Sequence, residues 1–316
     1  MIEIEVTDIT DETALIRRFE LRAVNGAALP AFGAGSHIDV HITDSLVRQY
    51  SLSNAPSETH RYVIGVLKEA VSRGGSKAMH DQITVGTRLR ISEPRNLFPL
   101  ASEAQKSLLI AGGIGITPIL SMAEDLWARS APFELHYYAR ARDMAGFLER
   151  LSQAPYAASV HLHFDAEPDT QYPVSDLVKA PQTGTHLYVC GPDAFMNHVL
   201  DASRAAGWAE ADLHREYFTP QTQSLADDGW FKIRINSTGQ EFDVEPDQTV
   251  AQAMEANGVF ISLSCEQGIC GTCLTGVIEG VPDHRDQYLT EEEQASNTQF
   301  TPCCSRAKSP LLILDL

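Results

Sequence analysis

Four cysteines near the C-terminus share an asymmetric spacing. Cys265, Cys270 and Cys273 follow one another with four and then two residues between them, and Cys303 comes after a further 29 residues. The spacing is that of the C-x4-C-x2-C…C ligand run of a plant-type 2Fe-2S cluster. One tight loop that supplies three thiolates, with a distant segment that supplies the fourth, can surround two bridged irons from one side.

Two other chemistries also use clustered cysteines. A structural zinc site is expected to show two C-x2-C pairs or a Cys/His mixture, which the four-residue first gap does not fit. Disulfides need an oxidising compartment, for which nothing in the sequence argues. Gly268 and Gly271 favour the cluster, because residues without Cβ let the loop curl and turn N–H groups toward the sulfurs. Cys304 is predicted to point the other way along a strand, as a small buried side chain.

A second set of residues, in the first 100, is suited to a phosphate. Arg48 lies in the stretch Arg-Gln-Tyr-Ser-Leu-Ser, and a Gly-Gly-Ser turn at 74–76 opens a helical segment at 77–80. Arginine donates two parallel bonds to a phosphate, and a glycine turn at a helix start offers backbone N–H groups to the same anion. Taken alone, either stretch is also compatible with an ordinary strand or turn. Together they imply a phosphorylated, planar ligand.

The surrounding elements predict three domains. Short strands at 2–9, 15–23, 37–42, 48–53 and 62–67 favour a small antiparallel β-barrel. Strands at 107–111, 133–139, 159–164 and 185–189 alternate with helices at 117–127, 144–151 and 194–206, which is typical of a doubly wound parallel sheet.

A polar linker at 219–229 leads to strands 230–236, 241–244, 274–279 and 311–316. With a helix from Thr249 to Gly258 and a short one capped by Thr290, they predict a β-grasp domain.

Ligands of a doubly wound sheet bind at the carboxyl ends of its strands. A glycine turn, Gly112-Gly113-Ile114-Gly115, follows the first such strand, with Thr117 predicted to cap the next helix. Its spacing is not the G-x-G-x-x-G dinucleotide fingerprint. The turn Cys190-Gly191-Pro192 ends another strand. Cys190 is either a packing residue in tight space or a residue that orients a ligand.

Length and charge limit the possible functions. The chain has 316 residues, enough for two or three domains. Lys and Arg number 24 against 42 Asp and Glu, a net charge of −18 that argues against a nucleic-acid partner. It favours either steering toward a basic docking patch or simple solubility. No apolar run reaches the ~18 residues of a membrane span and the N-terminus is acidic, so we expect a cytoplasmic protein without a membrane anchor.

Taken in order, these motifs resemble those of the phthalate dioxygenase reductase family, a branch of the ferredoxin-NADP reductase superfamily with a ferredoxin module fused at the C-terminus. The resemblance covers essentially the whole chain. It implies a flavin-binding β-barrel at 1–102, a NAD-binding α/β domain at 103–222 and a plant-type ferredoxin domain at 229–316. The motifs are Arg48-x-Tyr50-Ser51-Leu52-Ser53, Gly74-Gly75-Ser76, the Gly112 segment, Cys190-Gly191-Pro192 and the four cysteines.

The resemblance also assigns cofactors and roles. It implies FMN in the barrel, NADH in the second domain, and Ser51 and Cys190 as the residues beside the reacting atoms, with Ser51 a donor near flavin N5. From its position at the end of the second domain, an aromatic residue such as Phe218 is expected either to cover the flavin until nicotinamide displaces it or to pack at the domain edge. Asp165 follows the strand at 159–164 and would repel the 2′-phosphate of NADPH if it faces that position. The implied cofactor-binding residues are Arg48, Tyr50, Ser51, Leu52, Ser53, Gly74, Gly75, Ser76, Gly112, Gly113, Gly115, Thr117, Arg140, Cys190, Gly191, Pro192 and Phe218.

By the same resemblance, electrons pass from NADH through FMN and the cluster to a Rieske-type oxygenase that acts on an aromatic acid or methoxy-aromatic compound. A flavin is needed because nicotinamide gives two electrons at once and the cluster accepts one at a time. The oxygenase is expected to dock near the cluster loop, over Gln267 and Ile269, and His284 is expected to be a surface or packing residue. Two alternatives stay open: an FAD-dependent relative with another acceptor, and a redox-sensing protein with zinc in the cysteine loop.

Overall fold

The computed structural model describes residues 1–43, 46–69, 74–218, 229–263, 266, 268, 271–286 and 288–316, and only the backbone of Glu291. The chain divides into two compact units, Met1–Phe218 and Thr219–Leu316. The predicted linker lies, apart from Gly229, outside the described residues. No described helix is both long and apolar enough to cross a bilayer.

The first sheet is antiparallel and closes on itself. Its outer strands are joined through an antiparallel bridge between Leu52 and Ile64. Buried and more exposed residues alternate along several of the strands that form the barrel. In the first strand, Ile4 and Val6 are buried in the core, whereas Glu5 between them is only partly buried. The strand order is β4-β3-β6-β1-β2-β5, with β7 beside β3. The elements are β1 (Ile2–Asp11), β2 (Ile16–Ala23), β3 (Ser36–His41), β4 (Val47–Ser51), β5 (Tyr62–Leu67), α1 (Gly75–Gln82), β6 (Arg88–Ile91) and β7 (Arg95–Asn96).

The second sheet is parallel and covered on both faces, as a doubly wound sheet must be. The elements are β8 (Lys106–Gly112), α2 (Ile116–Ala128), β9 (Phe133–Ala139), α3 (Leu148–Gln153), β10 (Val160–Phe164), α4 (Val174–Val178), β11 (Thr185–Cys190), α5 (Asp193–Ala205) and β12 (Leu213–Glu216). The strand order is β10-β9-β8-β11-β12. In β8, Leu109 and Ala111 pack toward α2, and Leu108 and Ile110 pack toward α5. The order places the ends of β8 and β11 side by side.

The second unit has the predicted β-grasp arrangement, a mixed sheet packed against one helix. Its main sheet has the order β14-β13-β19-β15-β17, and β16 pairs with β18. Both predicted helices begin as expected, and each has a capping box, formed by Thr249 with Gln252 and by Thr290 with Glu293. The elements are β13 (Phe231–Ile235), β14 (Glu241–Val244), α6 (Val250–Ala256), β15 (Thr275–Glu279), β16 (Pro282–Asp283), α7 (Glu291–Ser296), β17 (Gln299–Phe300), β18 (Arg306–Ala307) and β19 (Leu311–Asp315).

Three local predictions were wrong. Thr117 does not cap its helix, because a 3-10 turn at Gly113–Gly115 runs directly into α2 and the chain is already helical there. The predicted helix at 144–151 begins only at Leu148, after Phe147 in a left-handed conformation with φ of 64°. Cys304 lies in a turn between β17 and β18 rather than on a strand, and its sulfur lies 3.2 Å from the hydroxyl of Thr301.

Candidate functional site

The residues predicted to hold one phosphate lie together. Arg48, on β4, passes so close over Gly75 that a Cβ at Gly75 would stand 2.4 Å from its Cγ and 2.7 Å from its Nε. Gly74 precedes α1 with φ of 91°, a conformation that glycine adopts without strain. The first turn of α1 therefore lies next to a guanidinium. A cation beside a helix start is suited to a phosphate.

The two faces of β4 carry different predicted residues. Tyr50 lies two residues after Arg48 on the same face and is half-buried. Burial raises the pKa of its phenol well above the ordinary value, although Arg48 opposes the shift. Ser51 points to the other, buried face. Tyr50 can thus pack against a planar ring while Ser51 offers a hydroxyl from a buried position.

Leu52 and Ser53 have fully buried side chains inside the barrel. The Ser53 hydroxyl donates to the carbonyl of Val63 at 3.0 Å, next to the backbone bond that joins β4 to β5. Contacts of these two residues with a bound cofactor are therefore expected from their backbone.

The two predicted nucleotide turns interlock at the carboxyl ends of β8 and β11. A Cβ at Gly115 would stand 2.2 Å from the carbonyl oxygen of Cys190, and one at Gly191 would stand 3.0 Å from Cα of Gly112. Gly112 itself is covered by Phe195, 2.7 Å from its ideal Cβ position. Only glycine fits at these contacts, so the turns form a smooth backbone surface that a ligand can approach closely.

The other predicted nucleotide residues lie around this edge. Thr117 is buried and donates its hydroxyl to the carbonyl of Ile114 at 3.1 Å. Pro192 precedes α5. Arg140 and Asp165 are both exposed just beyond the ends of the neighbouring strands β9 and β10. Their positions are compatible with the adenosine end of a dinucleotide.

Glu216 is the residue that sequence reasoning missed. It ends β12, pairs in register with Cys190 of β11, and accepts a hydrogen bond from the Ser51 hydroxyl at 2.9 Å. This bond joins the two sheets and places Ser51 next to the strand partner of Cys190, so that the two residues predicted to lie beside the reacting atoms both neighbour Glu216. The available signal was a single acidic residue at the carboxyl end of a parallel strand, ahead of Tyr217 and Phe218.

Burial sets the electrostatics at Glu216. The pKa of its carboxyl is raised to about 8 by desolvation, against which the Ser51 hydrogen bond acts. The Cys190 thiol is fully buried, and its pKa is raised by that burial and by Glu216. The Nδ1 of His37 lies 4.0 Å from the second carboxyl oxygen. Near neutral pH the site therefore holds a neutral carboxyl and a neutral thiol, able to donate hydrogen bonds or a proton but not to repel an electron-rich ligand.

Phe218 is the last described residue of the first unit and has 37% of its surface exposed, whereas Tyr217 is buried. It follows Glu216 by two residues. An exposed aromatic ring at this place is compatible with the predicted role over a flavin.

In the second unit the described part of the cysteine motif converges. Cys273 and Cys303 are buried together with Ala251 in one small cluster. Gly271, with φ of +68°, leaves no room for a side chain beside the ring of Tyr288, and Gly268, with φ of +69°, leaves none beside Cys304. Both glycines therefore have the backbone conformation and the close contacts that exclude a side chain. Cys265 and Cys270 lie outside the described residues, as do Gln267 and Ile269.

His284 has a nearly buried side chain, and both ring nitrogens lack a hydrogen-bond partner among the described residues. Its Nδ1 lies 3.6 Å from a carboxylate oxygen of Asp286, which is itself fully buried. The prediction of a packing role is compatible with this place, and a surface role is not.

Comparison with known proteins decides between cluster and zinc. Residues 233–308 match the family model described as the 2Fe-2S iron-sulfur cluster binding domain. Residues 87–213 match the model of the N-terminal domain of DmmA-like dimethylamine monooxygenase subunits. The four cysteines therefore belong to a cluster-binding domain.

Several relatives match this chain over its whole length. The chain is 56% identical over 317 residues to vanillate O-demethylase oxidoreductase of Pseudomonas putida, with all of both proteins covered. It is 40% identical over 320 residues to the carnitine monooxygenase reductase subunit of Escherichia coli K12, covering 100% of this chain and 98% of the relative. The solved structure of phthalate dioxygenase reductase aligns with a TM-score of 0.73 and 34% identity, covering 99% of this chain and 97% of that one. The chain belongs to the phthalate dioxygenase reductase family, and it is an electron-transfer oxidoreductase with a 2Fe-2S cluster-binding domain.

Proposed function

We propose that this protein is the reductase component of an O-demethylase that acts on a methoxylated aromatic acid of the vanillate type. Vanillate O-demethylase oxidoreductases are the relatives with 56% and 54% identity over their full length, whereas the carnitine monooxygenase reductase subunit has 40%. The aromatic substrate binds to the oxygenase and not to the reductase. The sequence identity to vanillate O-demethylase oxidoreductases therefore supports a partner oxygenase of that type, and it does not imply a pocket for the aromatic compound in this chain.

The hydride-transfer site is proposed at the meeting point of Ser51, Cys190 and Glu216. The single observation that carries it is the hydrogen bond between Ser51 and Glu216, which joins the barrel to the strand ends where the Cys190 turn lies. When bound, FMN accepts hydride from NADH and releases the electrons singly. Ser51 supplies a hydroxyl beside the flavin, and the buried Cys190 restricts where the nicotinamide ring can lie. Glu216 orients the Ser51 hydroxyl by accepting its hydrogen bond.

Binding of the two cofactors uses the remaining residues. Arg48 and the first turn of α1 bind the FMN phosphate, and Tyr50 packs against the flavin ring. The glycine turn at 112–115 and Gly191 let the dinucleotide lie on the backbone. Arg140 and Asp165 contact the adenosine end, where the negative charge of Asp165 favours NADH over NADPH. The boundaries at 102 and 222 and the cytoplasmic location remain predictions.

The oxygenase is proposed to dock over the segment that leads into the cluster loop. Residues 259–263 alternate, with Ile261 and Leu263 packed against the cluster cysteines and Phe260 and Ser262 exposed. Phe260 has 77% of its surface exposed, the largest fraction among the exposed large apolar residues. Residues 229–316 contain 13 acidic and 5 basic side chains. An apolar anchor on an acidic surface suits a partner with a basic rim around an apolar pocket.

Reconstitution tests the pairing. The purified holoprotein is mixed with the oxygenase component of a vanillate O-demethylase, NADH, oxygen and vanillate, and formaldehyde is measured against NADH consumed. We expect one formaldehyde for each NADH, because removal of the methyl group consumes two electrons and one O₂. Replacement by the oxygenase component of carnitine monooxygenase should slow NADH oxidation at least tenfold. Equal coupling to both oxygenases would contradict the assigned substrate class.

The docking surface is tested separately with Phe260→Ala. Removing an aromatic anchor should lower the oxygenase-coupled rate about tenfold, equivalent to about 1.4 kcal/mol of binding. Reduction of ferricyanide by NADH should not change. Trp230→Ala is the matched control, since Trp230 is also aromatic and 65% exposed in the same unit. If both variants couple as well as the wild type, or if both lose the same activity, Phe260 is not the anchor.

A further inference from the structure

A group of imidazole rings covers one face of the parallel sheet at its β10 edge. His136 on β9 is paired in register with His161 on β10, and their rings stack with centroids 4.6 Å apart. The ring of His163, two residues further along β10, is nearly parallel to that of His136, with centroids 5.2 Å apart. None of these residues belongs to the sites described above. His136 and His163 are buried, whereas His161 is exposed.

The hydrogen bonds fix the proton positions on these rings. Nδ1 of His163 lies 2.8 Å from the carbonyl oxygen of Thr170, and since a carbonyl only accepts, this Nδ1 carries the proton. In the neutral ring the other nitrogen, Nε2, is then an acceptor. It lies 3.0 Å from Nδ1 of His136, which must be the donor. In neutral His136 the lone pair is therefore on Nε2.

That lone pair has no hydrogen-bond partner among the described residues, although His136 is 95% buried. The nearest charged group is a carboxylate oxygen of Glu134, 3.7 Å away, which also only accepts. The second oxygen of Glu134 is bound by Lys106 at 2.8 Å. Two acceptors that face each other in a partly buried place can share a cation as ligands.

We propose that Glu134, His136 and His161 form a binding site for a divalent transition metal such as Zn²⁺. One ligand atom from each residue lies within 4.8 Å of the other two. Tetrahedral zinc with bonds of about 2.0–2.1 Å brings its ligands closer together, and the exposed His161 ring and the half-buried Glu134 side chain can turn inward. Three protein ligands leave one position for water.

The surroundings of His136 are those of a metal ligand. A metal-binding histidine usually donates its other ring N–H to an acceptor that fixes its orientation, and here His163 is that acceptor and Thr170 fixes His163 in turn. A bound ion would join β9 to β10 at the open edge of the sheet. It would therefore stabilise the edge strand without contact to the reacting groups at Ser51 and Cys190.

Zinc binding is measured on the wild-type holoprotein by equilibrium dialysis against ZnCl₂, with zinc and iron counted by mass spectrometry and zinc coordination by X-ray absorption. We expect one zinc per chain in addition to an unchanged iron content, with nitrogen and oxygen ligands at about 2.0–2.1 Å. His161→Ala should weaken zinc binding at least tenfold. Because His161 is exposed, this variant should retain its flavin and its iron. His198→Ala, which removes an exposed histidine of α5, is the matched control.

Three results would overturn the proposal. The first is that the wild type binds no zinc beyond a trace. The second is sulfur ligands at about 2.3 Å, which would indicate zinc at the cluster cysteines. The third is equal zinc loss in His161→Ala and His198→Ala, which would indicate adventitious binding. Raised thermal stability with ZnCl₂ in the wild type, and not in His161→Ala, would support it further.

Discussion

Glu216→Gln should stabilise the first unit relative to the wild type, and this difference in stability should increase as the pH rises. The carboxyl stays neutral in the folded protein up to about pH 8 but ionises in the unfolded chain from about pH 4.5. Between these values the folded state binds the extra proton, so the wild type loses stability with rising pH. A gap of about 3.5 pKa units corresponds to about 5 kcal/mol, at roughly 1.4 kcal/mol per unit. Glutamine keeps an acceptor for Ser51 and has no charge to bury.

The stability difference between the glutamine variant and the wild type should therefore grow by about 4 kcal/mol from pH 5 to pH 8.5. For a unit of about 200 residues this corresponds to roughly 10 °C in the midpoint of unfolding. The assay is thermal release of FMN, followed by its fluorescence, because the flavin leaves when the barrel unfolds. Saturating FMN in both proteins keeps the contribution of ligand binding equal.

Glu210→Gln is the control for a carboxyl at the protein surface. Arg204 lowers the pKa of Glu210 by hydrogen bonding. Removing the Glu210 charge should therefore make the variant slightly less stable than the wild type at neutral pH, and this difference should disappear below the pKa of Glu210. Its effect has the opposite sign to that of Glu216→Gln. A midpoint difference between Glu216→Gln and the wild type that is the same at pH 5 and pH 8.5 would refute the buried neutral carboxyl.

Three further substitutions test the other sites. Gly115→Ala should lower the free energy of unfolding by about 3 kcal/mol and weaken NADH binding, because the new Cβ would stand 2.2 Å from a backbone oxygen. The unfolding midpoint and the KM for NADH are the measurements. Gly146→Ala is the control, since the nearest atom to its new Cβ is a side-chain carbon at 3.3 Å. Arg48→Ala should weaken FMN binding at least tenfold in a fluorescence titration, by loss of a charge-assisted phosphate contact. Arg306→Met should destabilise the second unit by about 3 kcal/mol in calorimetry, because Arg306 is buried and donates to three backbone carbonyls. The control, Lys308→Met, changes an exposed lysine and should alter the stability little.

Elements whose pattern is local were predictable from the sequence. The strand β8 is a continuous apolar run, and α6 has its own capping box, so neither depends on a distant residue for its prediction. The start of α2 was mispredicted because Thr117 and Pro118 look like a cap in isolation. The 3-10 turn before them exists because Gly115 packs on the backbone of Cys190, a contact 75 residues away.

The same distinction separates the site residues that were predicted from those that were missed. Ser51 and Cys190 lie within recognisable motifs, whereas Glu216 acquires its place only from the pairing of β12 with β11 and from the approach of β4. Its raised pKa is a property of that burial and is not encoded in the neighbouring residues. The His136 group is similar, since three histidines on two strands become one cluster only in the parallel register that sets His136 opposite His161. Single ionisable residues at the ends or edges of parallel strands are thus the positions where a known fold adds most to the sequence.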